Sequence, residues 1–268
     1  MRTLHSQSLR MPTFLFSEHI FGPIKSRRLG SSLGINLLSV KQKVCNFNCV
    51  YCECGSTHPL NKNEISFVDK DLLLTMLDLR LQECINDSIP IDTITFAGNG
   101  EPTLHPSFLS IVNEIVQLRN KHFPEANIAV LTNGATLKSK RISKALTKVD
   151  KAIIKLDAGT DKFINIIDQP KRKLSINKLI KDLASFDGEV IIQTMFLKGT
   201  VDGKPIDNSS GEELEAWLER IREIAPKEVM LYSIDRDTPI STLERIPIEK
   251  LEIIAERVHK LGIQTQVV

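Results

Sequence analysis

Apolar, β-prone runs alternate along this chain with segments whose apolar residues recur at helical spacing, and that alternation constrains the fold more than any other feature. The runs are Ile35 to Val40, Thr93 to Ala97, Asn127 to Thr132, Ala152 to Leu156, Glu189 to Leu197 and Glu228 to Ile234, with a last short stretch at Ile263 to Val268. Gly98 closes the second run and Asn133-Gly134 the third. Between the runs, one helix is expected to start near Asp69 and the next to carry Phe108, Ile111, Val112, Ile115 and Val116. Further helices are expected over Leu137 to Leu146, Leu174 to Phe186, Leu214 to Ile224 and Leu251 to Leu261. Pro106 and Pro247 stand where a first helical turn tolerates proline. Strands alternating with helices imply parallel βαβ units with right-handed connections. About six units are readable, so the expected fold is α/β, a partial (β/α)6 TIM-like barrel of parallel strands with a short N-terminal extension. The simplest division is an irregular extension over 1–30 and one main domain over 31–268. In such barrels the chemistry sits at the C-terminal ends of the strands.

Composition fits an ordinary folded protein: of 268 residues, 41% are hydrophobic and 25% charged, which excludes a disordered or fibrous chain. The 35 Lys and Arg against 33 Asp and Glu leave +2, a balance with no net field for nucleic acid, membrane or acidic substrate. The first twenty residues are broken by His5, Arg10, Pro12 and His19 and read as neither signal peptide nor spanning helix, so no membrane association is expected and a cytoplasmic location is. The Gly- and Asp-containing stretch Lys198 to Gly211 reads as a long loop.

Five cysteines are an odd count for a disulfide framework, and four of them fall between Cys45 and Cys54. Cys45, Cys49 and Cys52 form C-x3-C-x2-C in the loop after the first run. Thiolates this close converge on one soft metal centre, zinc or an iron–sulfur cluster. Structural zinc wants a fourth Cys or His, for which His58 is available. A 4Fe-4S cluster usually takes four cysteines, and three leave one iron open to a substrate or cofactor.

Cys45-x3-Cys49-x2-Cys52, with Tyr51 before the last cysteine, resembles the cluster loop of the radical S-adenosylmethionine superfamily. Gly98-Asn99-Gly100-Glu101-Pro102 follows the second run and resembles that family's glycine-rich loop, whose contacts are to the methionine amino group of the cofactor. The resemblance implies a radical SAM enzyme, an oxidoreductase. Its 4Fe-4S cluster cleaves S-adenosylmethionine reductively, in an oxidoreductase/lyase-type reaction, and a 5'-deoxyadenosyl radical then abstracts hydrogen from an unidentified substrate, with tRNA or a nucleotide-like molecule left open. It implies Cys45, Cys49 and Cys52 as metal ligands and Tyr51, Gly98, Asn99, Gly100, Glu101, Asn133, Lys155 and Asp157 as cofactor contacts. Gln193, Thr194, Tyr232, Asp235 and Arg236 lie at or near later strand ends. A one-electron donor such as flavodoxin or ferredoxin is the implied partner, with an RNA or protein substrate left open.

The segment from Phe21 to Asn36 resembles a short group of such enzymes similar to the tRNA wyosine-forming proteins. Its Lys25, Arg27 and Arg28 read either as a solvated basic turn or as a site for phosphate or carboxylate. Wyosine-forming enzymes carry a second cluster on additional cysteines; Cys54 and Cys84 are too few for it, which favours a different substrate. The alternatives are a glycyl-radical enzyme activating protein and a noncatalytic zinc-binding module. Cys84 reads as a buried apolar residue, Cys54 as a neighbour of the ligands, His105 as shaping a helix start, Trp217 as packing, and Glu212 to Arg222 as a solvated helix face.

Overall fold

The computed structural model describes residues 14–57, 65–236 and 238–268. His58, and residues 1–13 of the expected extension, lie outside them. The chain opens with an antiparallel hairpin, β1 (Ile20–Ser26) and β2 (Gly30–Ile35), where irregular structure was expected. From β2 onward, seven parallel strands pair in chain order: β2, β3 (Thr93–Phe96), β4 (Asn127–Thr132), β5 (Lys151–Lys155), β6 (Ile191–Val201), β8 (Glu228–Ser233) and β10 (Gln264–Val267). Between successive strands run α1 (Lys70–Asn86), α2 (Phe108–His122), α3 (Lys140–Leu146), the pair α4 (Asp161–Ile167) and α5 (Ile176–Ala184), α6 (Gly211–Ile224) and α7 (Ile248–His259). Six strand–helix units thus build a partial TIM-like barrel, flanked on one edge by β1 and on the other by β10. No helix among the described residues is long and apolar enough to cross a membrane.

Strand alternation separates two packing layers. Ile128 and Val130, with Ile94, Phe96, Ile154 and Ile192, face outward into the large core beneath the helices. Their neighbours Ala129, Leu131, Ile153, Ile191 and Met230 face inward around Leu29, which comes from the β1–β2 turn and plugs the N-terminal end of the barrel. Asp69 caps α1 by accepting from the Asp71 and Leu72 amides, as the helix start expected there requires. Cys84 and Trp217 are buried in the outer core.

Two expectations are corrected above the barrel. The stretch Lys198 to Gly211 is not a loop: β6 runs eleven residues to Val201 and turns into β7 (Lys204–Asp207), and β9 (Leu243–Arg245) pairs with its other side. This small antiparallel sheet roofs the C-terminal end, with Met195, Leu197, Val201 and Ile206 packed on Val50 and Ile167. The first run is also displaced. Its strand is Gly30–Ile35, and the chain leaves the sheet at Asn36, whose Oδ1 accepts from the amides of Leu38 and Asn99.

Candidate active site

A cavity of about 210 Å³ opens at the C-terminal ends of the central strands. Cys45, Cys49 and Cys52 all line it, facing Gly98, Gly100, Glu101 and Asn133 across the mouth and Lys155, Gln193 and Tyr232 deeper in. The cysteine loop is held from both sides. Val44 N–H donates to the Asn99 carbonyl at 2.8 Å and the Val44 carbonyl accepts from Glu101 N–H at 3.0 Å. On the other flank, Val50 and Asn48 N–H donate to the carbonyls of Ile167 and Asp168 at the end of α4, at 2.9 and 3.0 Å.

The two glycines of the second loop are fixed by packing. A Cβ on Gly100 would stand 1.9 Å from the Val44 carbonyl oxygen and one on Gly98 2.5 Å from Asn36 Oδ1, with both residues at positive φ. The loop therefore lies against the cysteine loop, and glycine at both positions is required by that contact.

Glu101 is fully engaged by the protein. Its Oε1 accepts from Thr103 N–H, Thr103 Oγ1 and Thr132 Oγ1, and its Oε2 accepts from Asn133 N–H at 2.7 Å. Burial pushes this carboxyl upward, against those donors. Asn99, expected among the cofactor contacts, does not line the cavity: its amide donates to the Phe16 and Ser39 carbonyls and accepts from Phe16 N–H, pinning the N-terminal segment. Asn133 does face inward, with Nδ2 2.6 Å from Asn46 Oδ1 and 3.9 Å from Cys45 Sγ.

Tyr51, Lys155 and Asp157 form one buried network. Tyr51 hydroxyl and Lys155 ammonium both donate to Asp157, whose other oxygen accepts from Met195 N–H at 2.9 Å. Lys155 also pairs with Asp168 at 2.5 Å and lies 4.5 Å from the centre of the Tyr51 ring. Burial works against the lysine charge, but Asp157 and Asp168 overcome it and hold Lys155 well above its usual range. Burial pushes Asp168 up to about 7. Asp168 had no signal in sequence, since its link to the site passes through the end of a seven-residue helix.

The thiols differ from one another. A hydrogen bond from Cys54 lowers Cys52 to about 5, while burial raises Cys45 to about 11 and Cys49 well upward. Lys43, which sequence reasoning did not single out, lines the same cavity, donates to the Gly55 carbonyl at 2.7 Å and places its charge beside Cys52. Among the described residues no three His, Cys, Asp or Glu side chains converge tightly enough for a single metal ion. Three thiols lining one cavity, with a cation and an amide beside them, are the soft donor set that an iron–sulfur cluster takes.

The basic turn divides. Lys25 is exposed, and Arg27 points outward to Asp235 at 3.2 Å. Arg28 turns inward and stacks over Tyr232, 4.8 Å from the ring centre. His105 is structural: Nδ1 accepts from Ser107 N–H and Nε2 bonds the Val68 carbonyl at 2.9 Å. Glu213 corrects the solvated-face reading of α6, being buried with its carboxylate on Gly159 and Thr160.

A family model described as the Radical SAM superfamily matches residues 39–207. A UPF0026 protein of Helicobacter pylori is 32% identical over 222 residues, 81% of this chain and 66% of that protein. A Brachyspira hyodysenteriae protein named GTPase Obg is 30% identical over 242 residues, 89% of this chain but 33% of its own length. The chain therefore spans about two thirds and one third of the lengths of these relatives. Among solved structures, a radical SAM methyltransferase from Sphaerobacter thermophilus superposes with a TM-score of 0.64 at 17% identity, covering 88% of this chain and 65% of that one. The structure of TYW1 with a lysine-pyruvate adduct superposes with a TM-score of 0.61 at 14% identity, covering 87% and 75%.

Proposed function

The chain belongs to the radical SAM superfamily, whose cofactors are a 4Fe-4S cluster and S-adenosylmethionine, and from that premise we propose that it holds the cluster on Cys45, Cys49 and Cys52 and acts on a substrate inside the barrel. When bound, this cofactor pair supplies one-electron cleavage of the sulfonium C–S bond, yielding methionine and a 5'-deoxyadenosyl radical that abstracts hydrogen. The observation that carries the reading is the convergence of Cys45, Cys49 and Cys52 on the cavity lined by Gly98, Gly100 and Glu101, with Cys54 beside them hydrogen-bonded to the Gly98 carbonyl at 3.7 Å and to Cys52. Electrons come from a small donor of the flavodoxin or ferredoxin kind, in a reducing compartment such as the cytoplasm.

The protein's own residues position and exclude. Glu101 ties the glycine-rich loop to β4, and its carboxylate fixes the Asn133 amide at the cavity edge. Lys155 and Asp157 fix the Tyr51 ring over the deeper space. The roof of Met195, Leu197, Val201 and Ile206 screens it from water. The name of the Brachyspira relative is not carried over, since this chain spans 33% of that protein and contains no G-x4-G-K-[ST] phosphate loop.

Anaerobic reconstitution with iron and sulfide tests the reading. The expected outcome is about four irons per chain, a brown colour, and 5'-deoxyadenosine from S-adenosylmethionine under dithionite. Alanine at Cys45, Cys49 or Cys52 abolishes the colour; alanine at Cys84 or Cys54 leaves it. A colourless protein holding stoichiometric zinc overturns the proposal in favour of a zinc module.

A further inference from the structure

We propose that Arg28, which lies over Tyr232 where Tyr232 and Gln193 line the cavity, anchors an anionic group of a small-molecule substrate, a carboxylate or a phosphate. The inference rests on the reading above and adds the substrate class.

Three observations converge on that place. First, Arg28 Nη1 is buried with no hydrogen-bond partner. A guanidinium in water has all its donors satisfied, so leaving one bare inside a protein is unfavourable unless a ligand completes it. Second, Gln193 Nε2 bonds the Tyr232 hydroxyl at 2.7 Å while its Oε1 is likewise buried and unpartnered. Turned over, the amide accepts from the Tyr232 hydroxyl through Oε1 and leaves Nε2, a donor, for an oxygen of the anion. Third, the charges of the neighbouring cations are already answered. Lys155 is shared by Asp157 and Asp168, and Lys43 lies beside the cysteine thiols. Arg28, among the described residues, enters no ion pair, unlike Arg27 next to it, which reaches Asp235.

Position assigns this group to substrate. Arg28 comes from the β1–β2 turn, and Gln193 and Tyr232 from β6 and β8. The glycine-rich loop and Asn133 belong to the opposite side of the barrel, after β3 and β4. An anion on Arg28 thus lies across the cavity from the loops given to the methionine end of the cofactor. The planar guanidinium stacked on a tyrosine keeps its edge free for two oxygens of one anion. The cavity that Gln193 and Tyr232 line has a volume of about 210 Å³, the size of a small molecule and not of a folded polymer.

Calorimetric titration of the reconstituted protein with inorganic phosphate and, separately, acetate tests this, with and without saturating S-adenosylmethionine. The expected result is saturable binding of one of the two, at least tenfold weaker in Arg28→Gln, about threefold or more weaker in Arg28→Lys, and unchanged in the exposed Lys25→Gln. The anion that binds states whether the substrate group is a phosphate or a carboxylate. Binding of neither anion by the wild-type protein, equal binding by the Arg28 variants and wild type, or complete displacement of the anion by S-adenosylmethionine overturns the proposal. Arg28→Lys keeps the charge, so it reports even where Arg28→Gln folds poorly. Formation of 5'-deoxyadenosine under dithionite is measured on the same samples without anion, so a failure of the cluster chemistry is seen separately from a failure of anion binding.

Discussion

Gly100 and Gly203 differ in what a methyl group would meet. At Gly100 it would be forced to 1.9 Å from a backbone carbonyl that cannot retreat, because the same carbonyl accepts from Glu101 N–H. Gly203, in the β6–β7 turn, also has positive φ but nothing within 4 Å of a Cβ. Gly203→Ala should therefore cost about 1 kcal/mol of stability, the left-handed conformation alone. Gly100→Ala should cost at least about 3 kcal/mol and loosen the cysteine loop. Urea denaturation of the two variants checks this, and equal midpoints would refute it. Lys155 allows a second residue-scale test. A lysine that condenses with a carbonyl compound must be neutral. Here Asp157 and Asp168 hold Lys155 as ammonium. Borohydride treatment with pyruvate should leave Lys155 unlabelled by mass spectrometry, and reductive trapping there would show that the clamp opens. At this scale, the cysteines and the Gly98 to Glu101 loop were readable because each lies in one short stretch of chain. Asp168, Lys43 and the inward turn of Arg28 were not, since each acts across a contact between separate segments, and nothing local distinguishes Arg28 from Arg27.

Elements that place the site were read unequally. β4 was read at its observed boundaries, because six residues of apolar pattern end at Asn-Gly. α4 was missed: seven residues give too few turns for periodicity, and its importance comes from the carbonyls of Ile167 and Asp168 that carry the cysteine loop. In the β6–β7 hairpin Gly199, Gly203 and Pro205 obscure the strand pattern, so the stretch reads as a loop in sequence. The entry to α6 is closed by Asp207, whose carboxylate accepts from Ser209 N–H, Ser209 Oγ and Ser210 Oγ at 2.6 to 2.7 Å. Burial acts to raise this carboxyl, but those donors and Lys250 outweigh it, so its folded value lies below the ordinary 3.8. A depressed carboxyl stabilises the fold above its unfolded value and ceases to do so as pH falls through the folded one. Asp207→Asn should lower stability by about 1–2 kcal/mol at neutral pH. The deficit should shrink as pH falls below the ordinary carboxyl value and through the depressed folded one, where the wild-type carboxylate is itself protonated. Denaturation curves at neutral pH and along an acid series decide it, and a deficit that persists unchanged in acid would assign the effect to shape and not charge.

Over the whole molecule, strand–helix alternation was sufficient to give a barrel, but not what fills it. The interior differs from the helix-facing core in being narrow: Ala129, Ile153, Ile191 and Met230 leave room at the N-terminal end, and Leu29 fills it from a hairpin expected to be irregular. The same turn carries Arg28 to Tyr232, so floor and proposed anion anchor are consecutive residues. Thr93 Oγ1 donates to the Leu29 carbonyl and Asp92 accepts from Ser31 N–H, locking the turn against β3. A barrel that is open between β1 and β10 depends on such a plug more than a closed one, since its strands are not held by pairing all round. Leu29→Ala should therefore cost about 2–4 kcal/mol, although Leu29 lies outside any regular element. Leu72→Ala, the same change at a site 55% exposed on α1, should stay within about 0.5 kcal/mol. Because the plug sits under Arg28, Leu29→Ala should also weaken anion binding in the calorimetric assay while leaving the iron content of the reconstituted protein unaltered. Equal stability losses at Leu29 and Leu72 would show that the hairpin merely rests on the barrel, and loss of iron at Leu29 would show that its floor and its mouth move together.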